Sequence, residues 1–218
     1  MDETARAYEQ QAKSEGFLRI AGVDEAGRGP LAGPVVSAAV ILPEDFSVPG
    51  VTDSKRLTPK KRDHLYTEIY REAVSVGIGI VDPVEIDRIN ILQASLTAMA
   101  IAVSNLKPFP DMLLIDGNRS VDKSLFPEKR WLTIKQETII GGDSKSVSIA
   151  AASIVAKVTR DRLMAGYHID YPQFGFPVHK GYATRTHLEA IERFGCCPIH
   201  RQSFRKGPND PFRQQELF

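Results

Sequence analysis

Four acidic residues stand where carboxylates can do chemistry. Asp24 closes the segment F-L-R-I-A-G-V-D at residues 17–24, with Glu25 directly after it. Asp116 closes D-M-L-L-I-D at residues 111–116, and Asp143 follows Gly141 and Gly142 at an expected helix start. Carboxylates at strand ends, on loops held by a rigid sheet, are where α/β folds place their reactive groups. If the strands are neighbours, the four share one pocket and repel one another unless protons or cations neutralise them. Oxygen donors with no Cys or His beside them select a hard cation, Mg²⁺ or Mn²⁺. Two such ions about 4 Å apart form a clamp for in-line attack on a phosphodiester. One constraint applies: adjacent strand residues point to opposite faces, so Asp24 and Glu25 share a site only where the strand breaks or twists. The plain alternative is that each acid caps a helix or turns a loop.

Other residue types add less. The loop Gly27-Arg28-Gly29-Pro30-Leu31-Ala32-Gly33 is neither G-x-G-x-x-G nor a P-loop, yet its backbone N–H groups can approach a phosphate or sugar closely. Asp53-Ser54-Lys55-Arg56 offers a hydroxyl and cations for phosphate contact, or is simply a solvated loop. The five histidines include no H-x-x-x-H pair, and His168, His179 and His200 are expected at the polar surface or on phosphates. Asp161, between Arg160 and Arg162, is expected to form a salt bridge with them. Cys196 and Cys197 are adjacent and have no second pair, which excludes a disulfide framework and a zinc site.

The elements that must hold these groups follow from pattern. A polar helix spans residues 2–15 and ends at Gly16. Strands are expected at 17–24, 35–42 and 74–81, the first two as an antiparallel hairpin. Thr58-Pro59 starts a helix to about Glu72, Asp82-Pro83 opens a short one, and Asn90 caps a longer one through Leu106. The unbroken apolar run at 111–116 reads as a strand buried on both faces. A weak strand at 131–135 precedes a small-residue helix at 144–164. An aromatic and basic loop covers 171–184, and Thr186 with Glu189 suggests a capping box for a helix ended by Gly195. Hairpin strands first, then strands separated by helices, make a mixed α/β sheet flanked by helices.

Bulk properties agree. A chain of 218 residues, 42% apolar and 25% charged, suits one globular domain and excludes disordered, collagenous and low-complexity classes. No apolar run reaches a membrane span and no signal peptide is visible, so a cytoplasmic protein is expected, with no membrane partner. Residues 1–144 hold 17 basic and 21 acidic side chains, net −4; residues 145–218 hold 11 and 6, net +5. A basic C-terminal third is compatible with a polyanionic partner.

Six blocks in order now carry a resemblance: V-D-E-A-G-R-G-P at 23–30, D-S-K at 53–55, L-I-D-G at 114–117, G-D-S-K-S at 142–146, A-A-S-I-V-A-K-V-x-R-D at 151–161 and H-K-G-Y-A-T at 179–184. From about residue 17 to 204 the chain closely resembles bacterial type 2 ribonuclease H, the ribonuclease HII family. The resemblance implies a ribonuclease H-like fold: a mixed five-stranded sheet flanked by helices, with a helical C-terminal part. That frames a catalytic domain at 17–204, an N-terminal helical extension at 1–16 and a flexible tail at 205–218. It implies a metal-dependent endonuclease that hydrolyses the RNA strand of RNA–DNA hybrids and nicks duplex DNA on the 5′ side of an embedded ribonucleotide. The products carry 3′-hydroxyl and 5′-phosphate ends, and the role is ribonucleotide removal in replication and repair. It places the catalytic, metal-holding set on Asp24, Glu25, Asp116 and Asp143, with Mg²⁺ or Mn²⁺, two ions when substrate is bound. Gly27, Arg28 and Gly29 become the reader of the ribose 2′-hydroxyl, Tyr182 the ring beside the ribonucleotide–deoxyribonucleotide junction, and Lys55 and Ser153 phosphate contacts. The alternatives are another ribonuclease H-like nuclease, or a nucleic-acid-binding module without catalysis. A pure binder of polyanions gains nothing from clustered acids.

The last five residues, Gln214-Gln215-Glu216-Leu217-Phe218, resemble the Q-x-x-L-F peptides by which bacterial replication and repair enzymes dock on the sliding clamp. The alternative is that Leu217 and Phe218 fold back on the enzyme. The protein is otherwise expected to be a monomer.

Overall fold

Five strands form one mixed sheet. β1 (Ile20–Ala26) pairs antiparallel with β2 (Val35–Ile41), and β2 with β3 (Ser75–Val81); on its other edge β1 runs parallel to β4 (Met112–Asp116), and β4 to β5 (Lys135–Ile139). The spatial order is β3-β2-β1-β4-β5. The computed structural model describes residues 6–126, 131 and 133–205. The Q-x-x-L-F motif at 214–218 lies outside them, as do the first residues of the expected N-terminal helix.

The helices are α1 (Ala7–Ser14), α2 (Pro59–Glu72), α3 (Pro83–Ser104), α4 (Val147–Asp170), α5 (Phe176–His179) and α6 (Arg185–Phe194). Local chemistry sets their starts. The Thr58 hydroxyl accepts the Lys61 N–H at 3.3 Å, and the Ser146 hydroxyl accepts that of Ile149 at 3.2 Å. Asn90 interrupts α3 with non-helical backbone (φ 68°, ψ 164°), and its side-chain oxygen takes the N–H groups of Leu92 and Gln93. The expected second start at Asn90 is therefore present inside one continuous element. Among the described residues α3 alone has the length and mean hydropathy of a membrane span, but half of that stretch is buried in the protein.

Side-chain alternation assigns the two faces of the sheet. Ala21, Val23, Leu113 and Ile115 point toward α3, packing with Met99, Val103 and Leu106. The other face, with Ala38 and Val40, meets Ala151 and Val155 of α4, and Leu65 and Ile69 of α2 lie behind. Met112 and Leu114 share that face with Ile149. By the same alternation Gly22, Asp24 and Asp116 belong to the α4 side. The expectation of a doubly covered sheet holds.

Four expectations need correction. The first strand continues through Ala26 rather than ending at Asp24, because β2 keeps pairing with it as far as Ala26↔Val36. The weak strand at 131–135 is displaced: Trp131 is a buried plug, stacked on Phe126 and tilted against Phe109, and the strand begins only at Lys135. Bulky residues there fill the core instead of lining a pleat. The helix expected at 144–164 runs on to Asp170. The final helix is capped by Thr184, whose hydroxyl accepts the His187 N–H, not by Thr186; its expected stop at Gly195 stands.

The N-terminal helix is tied to this body. Ala12 packs with Ile20, Met112 and Ile149, and the Glu9 carboxylate accepts the hydroxyls of Ser146 and Ser148 and the Ser148 N–H at the start of α4. A carboxylate there meets the positive end of the helix dipole.

β1 and α4 approach so closely that a Cβ on Gly22 would lie 2.1 Å from the Ser148 carbonyl carbon. Gly22→Ala should therefore destabilise the protein by at least the ~1–3 kcal/mol usual for overpacking, since helix backbone has nowhere to move. An unchanged urea midpoint would show that α4 is not seated on β1 in this way.

Candidate active site

Parallel pairing of β1 with β4 ends at Val23↔Ile115. The next residues, Asp24 and Asp116, therefore stand at the same end of two adjacent strands, on the α4 side. Asp116 accepts the Gly142 N–H at 2.7 Å, which hangs the short turn carrying Asp143 beside it. Glu25 alternates to the opposite face, yet it borders the same cavity as Asp24. Beyond Val23 no β4 pairing closes that edge of β1, so a residue on either face can turn into the opening. The sequence constraint on adjacent residues is thus met by the end of a neighbouring strand, without a break in β1.

That cavity measures about 250 Å³ and is lined by Asp24, Glu25, the loop residues Gly27, Arg28 and Gly29, Ser54, Lys55, Ser153, Lys157, Arg160 and Tyr182. All six residues expected to touch substrate are here. Asp116 and Asp143 do not line it but couple electrostatically to those that do.

Electrostatics at this end of the sheet are unfavourable to the protein alone. Burial pushes the Asp24 carboxyl well above its usual range, and the charges of Glu25 and Asp116 push it further; the Glu25 N–H and the Ser153 hydroxyl act in the opposite direction. Glu25 is raised by burial and by Asp116, against the Arg28 guanidinium 3.3 Å away. Asp143 is raised by burial, then by Asp53 and Asp116, against Lys55, whose Nζ lies 3.7 Å from its Oδ2. Burial opposes the charge on Lys55, but the carboxylates around it hold its pKa above the ordinary lysine value. Among the described residues no three acidic, histidine or cysteine side chains stand close enough together to hold a metal ion as they are. By donor type the set nevertheless fits a hard cation: carboxylate oxygens, with no thiol or imidazole lining the pocket.

Three features escaped the sequence reading. Arg160 and Arg201, each 1% exposed, donate to backbone carbonyls of the glycine loop instead of to carboxylates. Asp161 pairs with Lys157 at 2.6 Å, not with its arginine neighbours, because Arg160 is turned inward. His179 and His200, expected at the surface, are buried with His187 against Phe174 and Phe176; His168 is half-buried. The Cys197 N–H donates to His200 Nδ1, leaving His200 Nε2–H for His187 Nε2 at 3.1 Å and His187 Nδ1–H for the Tyr182 carbonyl at 2.8 Å. Burial lowers the His187 pKa to about 4, so its ring stays neutral at neutral pH and keeps the Nε2 lone pair that this chain of rings needs. It braces the backbone of Tyr182, whose ring remains exposed. Histidines spaced at 179, 187 and 200 give no pattern that would reveal this in advance.

The ribonuclease HII family model matches residues 21–207. The ribonuclease HII of Acetivibrio thermocellus is 55% identical over 199 residues, covering 91% of this chain and 74% of that protein. The chain belongs to the ribonuclease HII family. It is accordingly an endoribonuclease that hydrolyses the RNA strand of RNA–DNA hybrids. Among solved structures, ribonuclease H2 from Pyrococcus horikoshii is similar with a TM-score of 0.70 at 28% identity, over 88% of this chain and 95% of that one. The ribonuclease HII of Archaeoglobus fulgidus, solved as a complex with PCNA, has a TM-score of 0.71 at 27% identity, over 85% and 94%. The sheet of the ribonuclease H-like fold is the one described above.

The raised Asp24 pKa sets a stability consequence. Above its unfolded value near 3.8, the unfolded chain releases this proton more readily than the folded one, so folding loses stability as pH rises toward the folded pKa. In metal-free buffer Asp24→Asn should raise Tm at pH 8, by about 2–4 °C per kcal/mol relieved. The difference should close below about pH 3, where Asp24 is protonated in the folded and unfolded chain alike. A variant no more stable than the parent at pH 8 would mean that Asp24 is not an uncompensated buried charge.

Proposed function

We propose that Asp24, Glu25, Asp116 and Asp143 hold divalent cations, Mg²⁺ or Mn²⁺, and that with them the protein cuts hybrids and nicks duplex DNA 5′ to a single embedded ribonucleotide. What carries this reading is the one cavity that unites two of the carboxylates with the glycine loop, Lys55, Ser153 and Tyr182. Two hard cations, when bound, supply the electrostatic clamp for in-line displacement at phosphorus. The chain's own residues do the rest. The four carboxylates would hold the cations and neutralise their charge. Lys55 leaves Asp143 for a phosphate oxygen, and Ser153, already bonded to Ser54 at 2.8 Å, steadies the same backbone. Water attack with the 3′ oxygen leaving yields 3′-hydroxyl and 5′-phosphate ends.

Ribose is distinguished from deoxyribose only at the 2′ position, so a side-chain-poor loop able to hydrogen-bond there is a suitable reader. Gly27, Arg28 and Gly29 fill that role. The Tyr182 ring, facing Gly29 across the cavity, stacks without regard to sequence, a contact worth about 1–3 kcal/mol. These properties suit removal of ribonucleotides from DNA during replication and repair.

A second contact is proposed for the C-terminus: residues 214–218 dock on the sliding clamp through Leu217 and Phe218. The support is the motif itself and the fact that a relative from Archaeoglobus fulgidus forms a complex with PCNA.

Two experiments test these assignments. Asp116→Asn should reduce Mg²⁺-dependent cleavage of both a hybrid and a one-ribonucleotide duplex by a factor of about 10² or more while duplex binding survives, and an all-DNA duplex should stay uncut by either protein. Near-normal turnover of the variant would remove Asp116 from the metal-holding set. Truncation before Gln214 should leave cleavage of free duplexes intact and abolish retention on immobilised clamp; equal retention of both forms, or of neither, refutes the docking.

A further inference from the structure

Arg160 and Arg201 are buried cations with no carboxylate in ion-pair contact among the described residues. Burial lowers both pKa values, to about 10 for Arg160 and, with added repulsion from Arg160, to about 9 for Arg201, so both remain charged at neutral pH. Keeping two charges in the interior is costly unless their donors are satisfied. Here six backbone carbonyls do so. Arg201 donates to Gly27, Arg28 and Gly33, at 2.6, 3.0 and 2.9 Å. Arg160 donates to Ala32, Pro34 and Lys180, at 3.0, 2.9 and 3.0 Å. Five of the six acceptors lie in the loop between β1 and β2.

Peptide geometry converts this clamp into an orientation. In a planar trans peptide the carbonyl and the following N–H point in opposite directions. Because the Gly27 and Arg28 carbonyls turn inward to Arg201, the Arg28 and Gly29 N–H groups turn away from it, in residues that line the cavity. Arg160 adds a second link: through the Lys180 carbonyl it fixes the segment that carries Tyr182, and the Leu31 N–H bonds Gly181 between the two loops. A Cβ on Gly29 would lie 3.6 Å from Tyr182 Cε1, so Gly29 and the ring border the same gap.

We propose that Arg160 and Arg201 are positioning residues for ribose selectivity: their guanidinium forks hold the Arg28 and Gly29 amides at the sugar's 2′ position, opposite Tyr182. Lysine is a single donor centre and cannot span three carbonyls, so the charge alone does not suffice. The inference rests on the reading of residues 27–29 as the 2′-hydroxyl contact.

The test is equilibrium binding of the full chain, in Ca²⁺ without cleavage, to two duplexes of one sequence, all-DNA and with one ribonucleotide. Arg201→Lys, Arg160→Lys and Gly29→Ala are compared with the parent. The expected result is a selectivity ratio reduced about tenfold in each arginine variant, as for one ordinary hydrogen bond lost, with all-DNA affinity unchanged. A merely structural role would weaken both duplexes together and leave the ratio alone. If Gly29→Ala loses selectivity while the folded lysine variants keep it, the positioning role is overturned and the loop reading stands. If Gly29→Ala keeps selectivity, the loop reading itself falls, and this inference with it. Loss of cooperative melting in both lysine variants would make the pair a folding element and overturn the proposal. Faster amide exchange in residues 27–34 of a folded lysine variant, with α2 unaffected, supports it independently.

Discussion

The arrangement of this molecule turns on a repulsion that it does not relieve by itself. Asp24 is buried where β1 stops pairing with β4, beside Asp116 on that parallel neighbour, with Glu25 following and Asp143 held on the adjoining turn. Desolvation and like charge both raise the cost of ionising Asp24. Such a group persists only where a well-packed body over-determines its position. The two faces of the sheet supply that body: apolar β1 and β4 residues lock against α3 on one side and α4 on the other. That unfavourable negative charge is what a divalent cation would relieve on binding.

Charge of the opposite sign is managed differently a few residues away. The guanidinium groups of Arg160 and Arg201 are caged by carbonyls of the loop at 27–34 and of Lys180, with no acid consumed. Among the described residues Arg28, at the rim, is the arginine paired with one of the four carboxylates, and the loop gains a fixed conformation. The neutral histidine chain at His179, His187 and His200 extends the same support to the Tyr182 backbone. Apolar packing therefore holds the acidic end, and two separate sets of buried polar groups brace the glycine loop and the aromatic ring around the same cavity.

Much of this was legible from the amino-acid sequence, where local rules act on short stretches. Thr58-Pro59 and Asn90 mark helix starts because a side-chain oxygen beside a free N–H is decided within four residues. The apolar run before Asp116 identifies a doubly covered strand, and the order of elements gives a mixed sheet. The ordered blocks from Val23 to Thr184 reach the family. The shift from Trp131 to Lys135 as the start of β5 was not legible, since an aromatic residue suits a pleat and a core plug equally well.

What only the tertiary structure decided lies in contacts distant along the chain. Asp24 and Glu25 share a cavity because β4, some ninety residues later, stops pairing at Ile115. Arg160 turns inward because carbonyls from residues 32 and 34 await it, which leaves Asp161 to Lys157. His179 and His200, polar and seemingly superficial, are interior because the short helices around Phe174 and Phe176 wrap them. The physical reason is common to all three. Periodicity and capping report the free energy of a segment with its own neighbours, whereas the partner of a buried charge or imidazole is fixed by packing among segments that no local pattern encodes.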